Sequence, residues 1–179
     1  MTTQLVDTDT SSGGETMAVR HFGNDRTIAD ADGTLFVMER VFDAPRELVW
    51  DVITNPERIG RWWGRHNTVT IVEEQDVRVG GRWRYISRAS DREDVPFKGE
   101  FLELDAPARL VYTFTVDIPG MSDVVGVITT TLEDVDGKTR LTESSRFDSV
   151  EQLDEQVGVG MVDGALEQWD RLADEIARG

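Results

Sequence analysis

The sequence predicts an α+β fold, with one antiparallel sheet of about seven strands curved around a long C-terminal helix. Three observations carry this. Residues 34–42 and 68–147 fall into short runs rich in β-branched and aromatic residues, divided by Gly, Pro and Asp turn signals. Between the first run and the rest lie two short segments with helical start and stop residues. After the last run, apolar residues recur at Leu153, Val157, Met161, Ala165, Leu166, Trp169, Leu172, Ala173 and Ile176. Those steps of three and four place one stripe along a helix, and such a stripe needs a broad apolar surface to lie on.

Residues 1–33 read as a tail, largely disordered or a short clasp, and 34–179 as a single domain. The first part of the tail is rich in Thr, Ser, Asp and Gly with little to bury. Val19, Phe22 and Ile28 offer the short strand or clasp. Residues 34–42 form the first strand. Asp43-Ala44-Pro45 stops it and opens a helix, with proline suited to the first turn and the acid to the positive end. Leu48, Val49, Val52 and Ile53 make that helix's apolar face, with Trp50 beside it. Asn55-Pro56 ends it and opens a second, short helix through Ile59 towards Trp62 and Trp63. Strands follow at 68–74, 82–88, 95–104, 109–116, 124–133 and 138–147, with Gly80-Gly81, Pro119-Gly120 and Asp136-Gly137 among their turns. In the second of these, Trp83 and Tyr85 share one face and Arg84 and Ile86 the other. Short turns between consecutive strands make an antiparallel meander.

The final helix is expected over 149–178. Gly158, Gly160 and Gly164 interrupt its first half, each costing about 1 kcal/mol against alanine in a helix interior. Gly160 and Gly164 lie four apart on one face. Either they let the helix press closely on the sheet, or they leave space beneath it.

At 179 residues the chain suits one domain with a full core. It contains no cysteine, which excludes disulfides, thiolate metal sites and a cysteine nucleophile. Its apolar runs fall far short of the roughly 20 residues of a membrane span, and its start lacks the apolar core of a signal peptide. A cytoplasmic protein, monomer or homodimer, is the expectation. The net charge of −16 argues against nucleic-acid and anionic-membrane surfaces. Arg58, Arg61, Arg65 and His66 form a local basic cluster around two tryptophans, whose simplest reading is a solvated loop balancing nearby acids.

The order strand, two helices, six strands, long helix resembles the START-like superfamily (SRPBCC, or helix-grip). Within it the chain resembles the branch named after the activator of heat-shock protein 90 ATPase. The carrying residues are ERVFDAPRELVW at 39–50, TNPE at 54–57, Trp62-Trp63-Gly64, DVRVGG at 76–81, GEFLEL at 99–104 and TRLT at 139–142. At the end, GMVDG at 160–164 precedes WDRLA at 169–173. The resemblance covers roughly residues 34–177. Two departures stand out. Ala165 follows the last motif's glycine where relatives often carry an aromatic, and Arg65-His66 follow Trp-Trp-Gly where proline is common. Both fall where the resemblance places a cavity and its mouth.

That fold implies a cavity for an apolar ligand. The candidates to line it are Trp62, Trp63, Trp83 or Arg84, Phe97, Phe101, Phe114, Met161 and Ala165, large apolar walls with a few polar groups. The same aromatics would equally pack a filled core. One of Trp62 and Trp63 plugs the end of the grip while the other meets a ligand, or both anchor the short helix to the sheet. Arg84 is either an inward cation for a ligand carboxylate or exposed opposite Trp83.

Catalysis has little support in the residues. His21 and His66 do not form a metal pattern, no G-x-S-x-G elbow exists, and no cofactor is expected. Three functions are compatible with this sequence. The first is a non-enzymatic binder of a small hydrophobic molecule, lipid or polyketide in kind. The second is a chaperone-linked interaction protein of the heat-shock protein 90 type, acting in stress response. The third is a cyclase- or aromatase-like enzyme with Glu143 or His66 as an inward acid or base.

Overall fold

The computed structural model describes residues 18–120 and 126–179. The disorder expected at the start of the tail, and residues 124–125 of the expected strand at 124–133, lie outside the described residues. The strands are β1 (Arg20–His21), β2 (Ile28–Asp32), β3 (Leu35–Phe42), β4 (Val69–Gln75), β5 (Arg82–Arg88), β6 (Val95–Asp105), β7 (Arg109–Val116), β8 (Gly126–Val135) and β9 (Lys138–Arg146). Helices α1 (Arg46–Thr54) and α2 (Pro56–Trp62) follow β3, and α3 (Val150–Gly158) and α4 (Met161–Ile176) close the chain.

Among the described residues nine strands form one antiparallel sheet in the order β1-β2-β3-β9-β8-β7-β6-β5-β4. The chain leaves β3, crosses through α1 and α2 to the far edge at β4, and meanders back until β9 pairs with β3. This is the helix-grip arrangement, with two strands more than the sequence predicts. The additional strands come from the segment read as tail. β2 alternates, with Ala29 and Ala31 fully buried and Ile28 turned outward. Alanines bury too little apolar surface to mark a strand by composition, yet small residues fit where β2 backs onto the core.

The two middle helices are placed by local chemistry. Asn55 accepts a hydrogen bond from the Glu57 N–H at 3.0 Å, and Pro56 fills the first helical turn of α2. The Trp62 indole N–H then donates to the Val52 carbonyl at 2.9 Å, tying α2 to α1.

The expected single helix at 149–178 is two helices. Ser149 caps α3 by accepting from the Gln152 N–H at 3.1 Å. The chain then breaks at Val159 and Gly160, and Gly160 stands at φ 86°, ψ 27°, a left-handed conformation that no right-handed helix continues through. The apolar stripe is therefore divided, with Leu153 buried on α3 and Trp169, Leu172 and Ile176 buried on α4, where Val162, outside the expected stripe, is buried as well.

The sheet curves towards α4. β-bulges interrupt β4 between Val72 and Glu74 and β6 between Phe101 and Glu103, and each adds local bend and twist. Gly99 on β6 is where Trp83 of β5 crosses its neighbour. A Cβ there would stand 2.4 Å from Trp83 Nε1 and 1.8 Å from the Thr113 carbonyl, so only glycine lets the indole lie flat on the concave face. Among the described residues no helix is long and apolar enough to cross a membrane.

Candidate functional site

Between α4 and the concave face lies a cavity of about 710 Å³. Its wall is a chain of touching rings. Trp63 sits edge-on to Tyr85 at 5.2 Å and to Phe97 at 5.0 Å, Trp83 lies 4.8 Å from Tyr85 and 5.8 Å from Phe114, and Phe97 lies 5.5 Å from Phe114. The rings of β5, β6 and β7 pack against one another along the sheet, with Trp63 against them from the end of α2. The helix side contributes Met161, Ala165, Gln168, Trp169 and Leu172, and open volume remains between them and the rings.

Of the residues singled out in the sequence, Trp62, Trp63, Trp83, Phe97, Phe101, Phe114, Met161 and Ala165 all line this cavity. Arg84 does not. Strand alternation turns it to the opposite face, where it donates to Asp117 at 2.5 Å and Glu73 at 2.8 Å. The two tryptophans divide their tasks: Trp62 is 7% exposed and anchored to α1, whereas half-buried Trp63 presents its ring to the cavity. Tyr85 and Tyr112 also line it and were not singled out in the sequence; Tyr112 lies two residues before Phe114 on the same strand face, a period-two signal.

The basic cluster divides: Arg61 and His66 are exposed, as a solvated loop would have them, whereas Arg58 and Arg65 are held against the fold. Arg65 Nη2 donates to the Gly160 carbonyl at 2.7 Å, and its guanidinium lies over Gly164, where a Cβ would come within 3.0 Å of it. The paired glycines thus seat an arginine side chain. Arg58 and Arg61 both donate to the buried carboxylate of Glu175. Arg171 of α4 holds the same loop from the other side, donating to the carbonyls of Trp63, Gly64 and Arg65 through Nη1 and to that of Arg61 through Nη2. His66 is exposed and outside the cavity lining, its backbone N–H bound to Glu167.

An acid also faces inward. Glu143 on β9 lies across from Met38 of β3 and Thr130 of β8. Its Oε1 accepts from the Tyr112 hydroxyl at 3.3 Å and from Thr130 Oγ1 at 3.2 Å. Burial pushes the Glu143 carboxyl above its ordinary range, and hydrogen bonds from Thr130, Tyr112 and Trp169 offset part of that rise. Burial, with the nearby Glu143 charge, also pushes the Tyr112 hydroxyl well up. Burial raises Tyr85 likewise, and its hydroxyl donates to Gln75 Oε1 at 2.5 Å.

The raised carboxyl has a consequence for stability. The folded protein holds the Glu143 proton more tightly than the unfolded chain does. Its stabilising contribution is present at acid pH, below the unfolded value, and is lost as pH rises through the folded value. Glu143→Gln is therefore expected to melt higher than the parent at pH 7, with the gap closing on acidification. Thermal unfolding followed by circular dichroism across that range checks it; a variant less stable at pH 7 would contradict the assignment.

A family model described as Activator of Hsp90 ATPase homolog 1-like protein matches residues 43–177. Among solved structures, an Arthrobacter aurescens protein determined by solution NMR is 25% identical with a TM-score of 0.78, over 84% of this chain and 91% of that one. Protein Ms6760 from Mycobacterium smegmatis is 21% identical with a TM-score of 0.73, over 83% and 98%. CalU16 from Micromonospora echinospora is 22% identical with a TM-score of 0.55, over 89% and 83%. At the last two identities the likeness concerns the fold alone. No curated protein matches the sequence.

Proposed function

The chain belongs to the Activator of Hsp90 ATPase homolog 1-like family, and from that membership and its cavity we propose that it is a non-enzymatic binder of a small hydrophobic molecule held between α4 and the sheet. The observation that carries this reading is the open volume of about 710 Å³ between an aromatic wall and α4. A ligand burying about 300 Å² of apolar surface there would gain roughly 7 kcal/mol before the costs of association. The lining is mainly apolar, with polar side chains such as Gln75, Thr130, Glu143 and Gln168 placed around it to orient a ligand. General acid–base chemistry asks for a poised pair, and among the described residues neither histidine reaches the cavity.

N-phenyl-1-naphthylamine, a neutral apolar fluorophore, serves as the test ligand. The protein should bind it saturably, with the blue shift of an apolar site. Ala165→Trp should weaken binding at least tenfold with the melting temperature unchanged, because the new ring occupies open volume instead of displacing packed atoms. Binding that does not saturate, or that ignores the tryptophan, would remove the proposal.

A further inference from the structure

Glu143 bears on the chemical class of the ligand, a question that rests on the cavity being a binding site. The acid stands on the cavity wall among neutral groups: Met38 on β3, Tyr112 on β7, Thr130 on β8 and Trp169 on α4. Among the described residues, none of the groups acting on its protonation is a cation. Two arginines of the described residues border the cavity, and neither is among the groups that act on Glu143. Arg65 is bound to the Gly160 carbonyl, and Arg92 is exposed on the loop after β5. The Tyr112 and Thr130 hydroxyls donate to Oε1, and the Trp169 indole also hydrogen-bonds the carboxyl, so every partner is a neutral donor.

A carboxylate facing a largely apolar cavity without a counter-charge is costly, and a bound cation relieves that cost most directly. The surroundings favour a cation a second way. The faces of aromatic rings attract positive charge, and Tyr112, Trp83, Tyr85 and Trp63 form a continuous run leading away from Glu143. A ligand carboxylate would meet the opposite: repulsion from Glu143, with Arg84 turned to the far side of the sheet. The chain's net charge of −16 adds long-range attraction for cations at low salt.

We propose that the ligand is a cationic amphiphile, a protonated amine on an apolar body, with its nitrogen against Glu143 and its body along the Trp63–Trp83–Phe114 wall. An alcohol of the same length fills the same volume without neutralising the acid. The preference between the two therefore reads the role of Glu143 separately from the existence of the cavity.

The experiment is displacement of N-phenyl-1-naphthylamine from the full chain by decylamine, 1-decanol and decanoate at pH 7.5. Decylamine should displace the fluorophore at concentrations at least tenfold below those of 1-decanol, with decanoate weakest. In Glu143→Gln the amine should lose its advantage over the alcohol, each affinity being compared within that variant. The parent protein supplies an independent readout: its amine preference should fall on acidification, as Glu143 takes up its proton. Equal displacement by amine and alcohol, or an amine preference that survives in Glu143→Gln, overturns the proposal while leaving the cavity standing. A fluorophore that fails to bind saturably overturns the cavity reading, and this inference with it.

Discussion

Replacing Trp169 with alanine is expected to cost about 3–5 kcal/mol of stability, the range for truncating a buried aromatic. Trp169 is 2% exposed, sits at the middle of α4 and packs its ring 6.1 Å from that of Phe42. It also lines the cavity. Most core positions recover part of a truncation by collapse of their neighbours. Here the neighbours on one side are already separated by open volume, so the void left by the indole would merge with the cavity and persist. The loss should therefore fall towards the upper part of that range, and Trp169→Phe should recover much of it. Urea unfolding at pH 7 measures both, and a loss for alanine below about 1 kcal/mol would show that α4 is not held chiefly by this residue.

Glu175→Ala is expected to remove on the order of 2–3 kcal/mol. The Glu175 side chain is 1% exposed and accepts from Arg58 at 3.2 Å, Arg61 at 3.3 Å and Arg178 at 3.1 Å. Arg61 and Arg178 are more than half exposed and regain water when the acid goes, which keeps the figure below that of a fully buried pair. Arg58, at 13% exposure, is left with Asp51 alone. A comparison separates the pair from its packing: Glu175→Met together with Arg58→Met should be closer to the parent than Glu175→Ala, because apolar groups of similar volume leave no buried charge behind. Chemical denaturation of the three proteins decides it, and a double variant worse than the single one would count against the account.

These two residues show what can be read from a sequence and what cannot. Trp169 falls on a helical stripe, so its burial is visible in the spacing. Glu175 falls among the other acids of α4 and looks like solvent-facing surface, since nothing local announces arginines from α2, more than a hundred residues earlier. The same holds for Gly164, whose purpose is to seat the Arg65 guanidinium. The sequence offers only the choice between close packing and open space. Gly160 misleads differently: the spacing of Val157 and Met161 continues across it, and periodicity cannot reveal a left-handed residue.

On the cavity side, the period-two pattern of β5 puts Trp83 and Tyr85 on one face and Arg84 on the other, and the structure turns the first face inward. Applied to β7, the same rule pairs Tyr112 with Phe114. Glu143 is visible in the sequence only as an acid on a strand; the neutrality of its surroundings depends on β3, β7, β8 and α4 meeting around it.

The antiparallel meander, the crossing pair of helices and which strand residues share a face are legible in the sequence, because alternation, turn residues and helix stops act over a few neighbouring positions. The open space under α4 and the neutral surroundings of the inward Glu143 arise from the packing of distant elements. Volume and counter-charge are sums over residues far apart in the chain, and no short-range pattern records them.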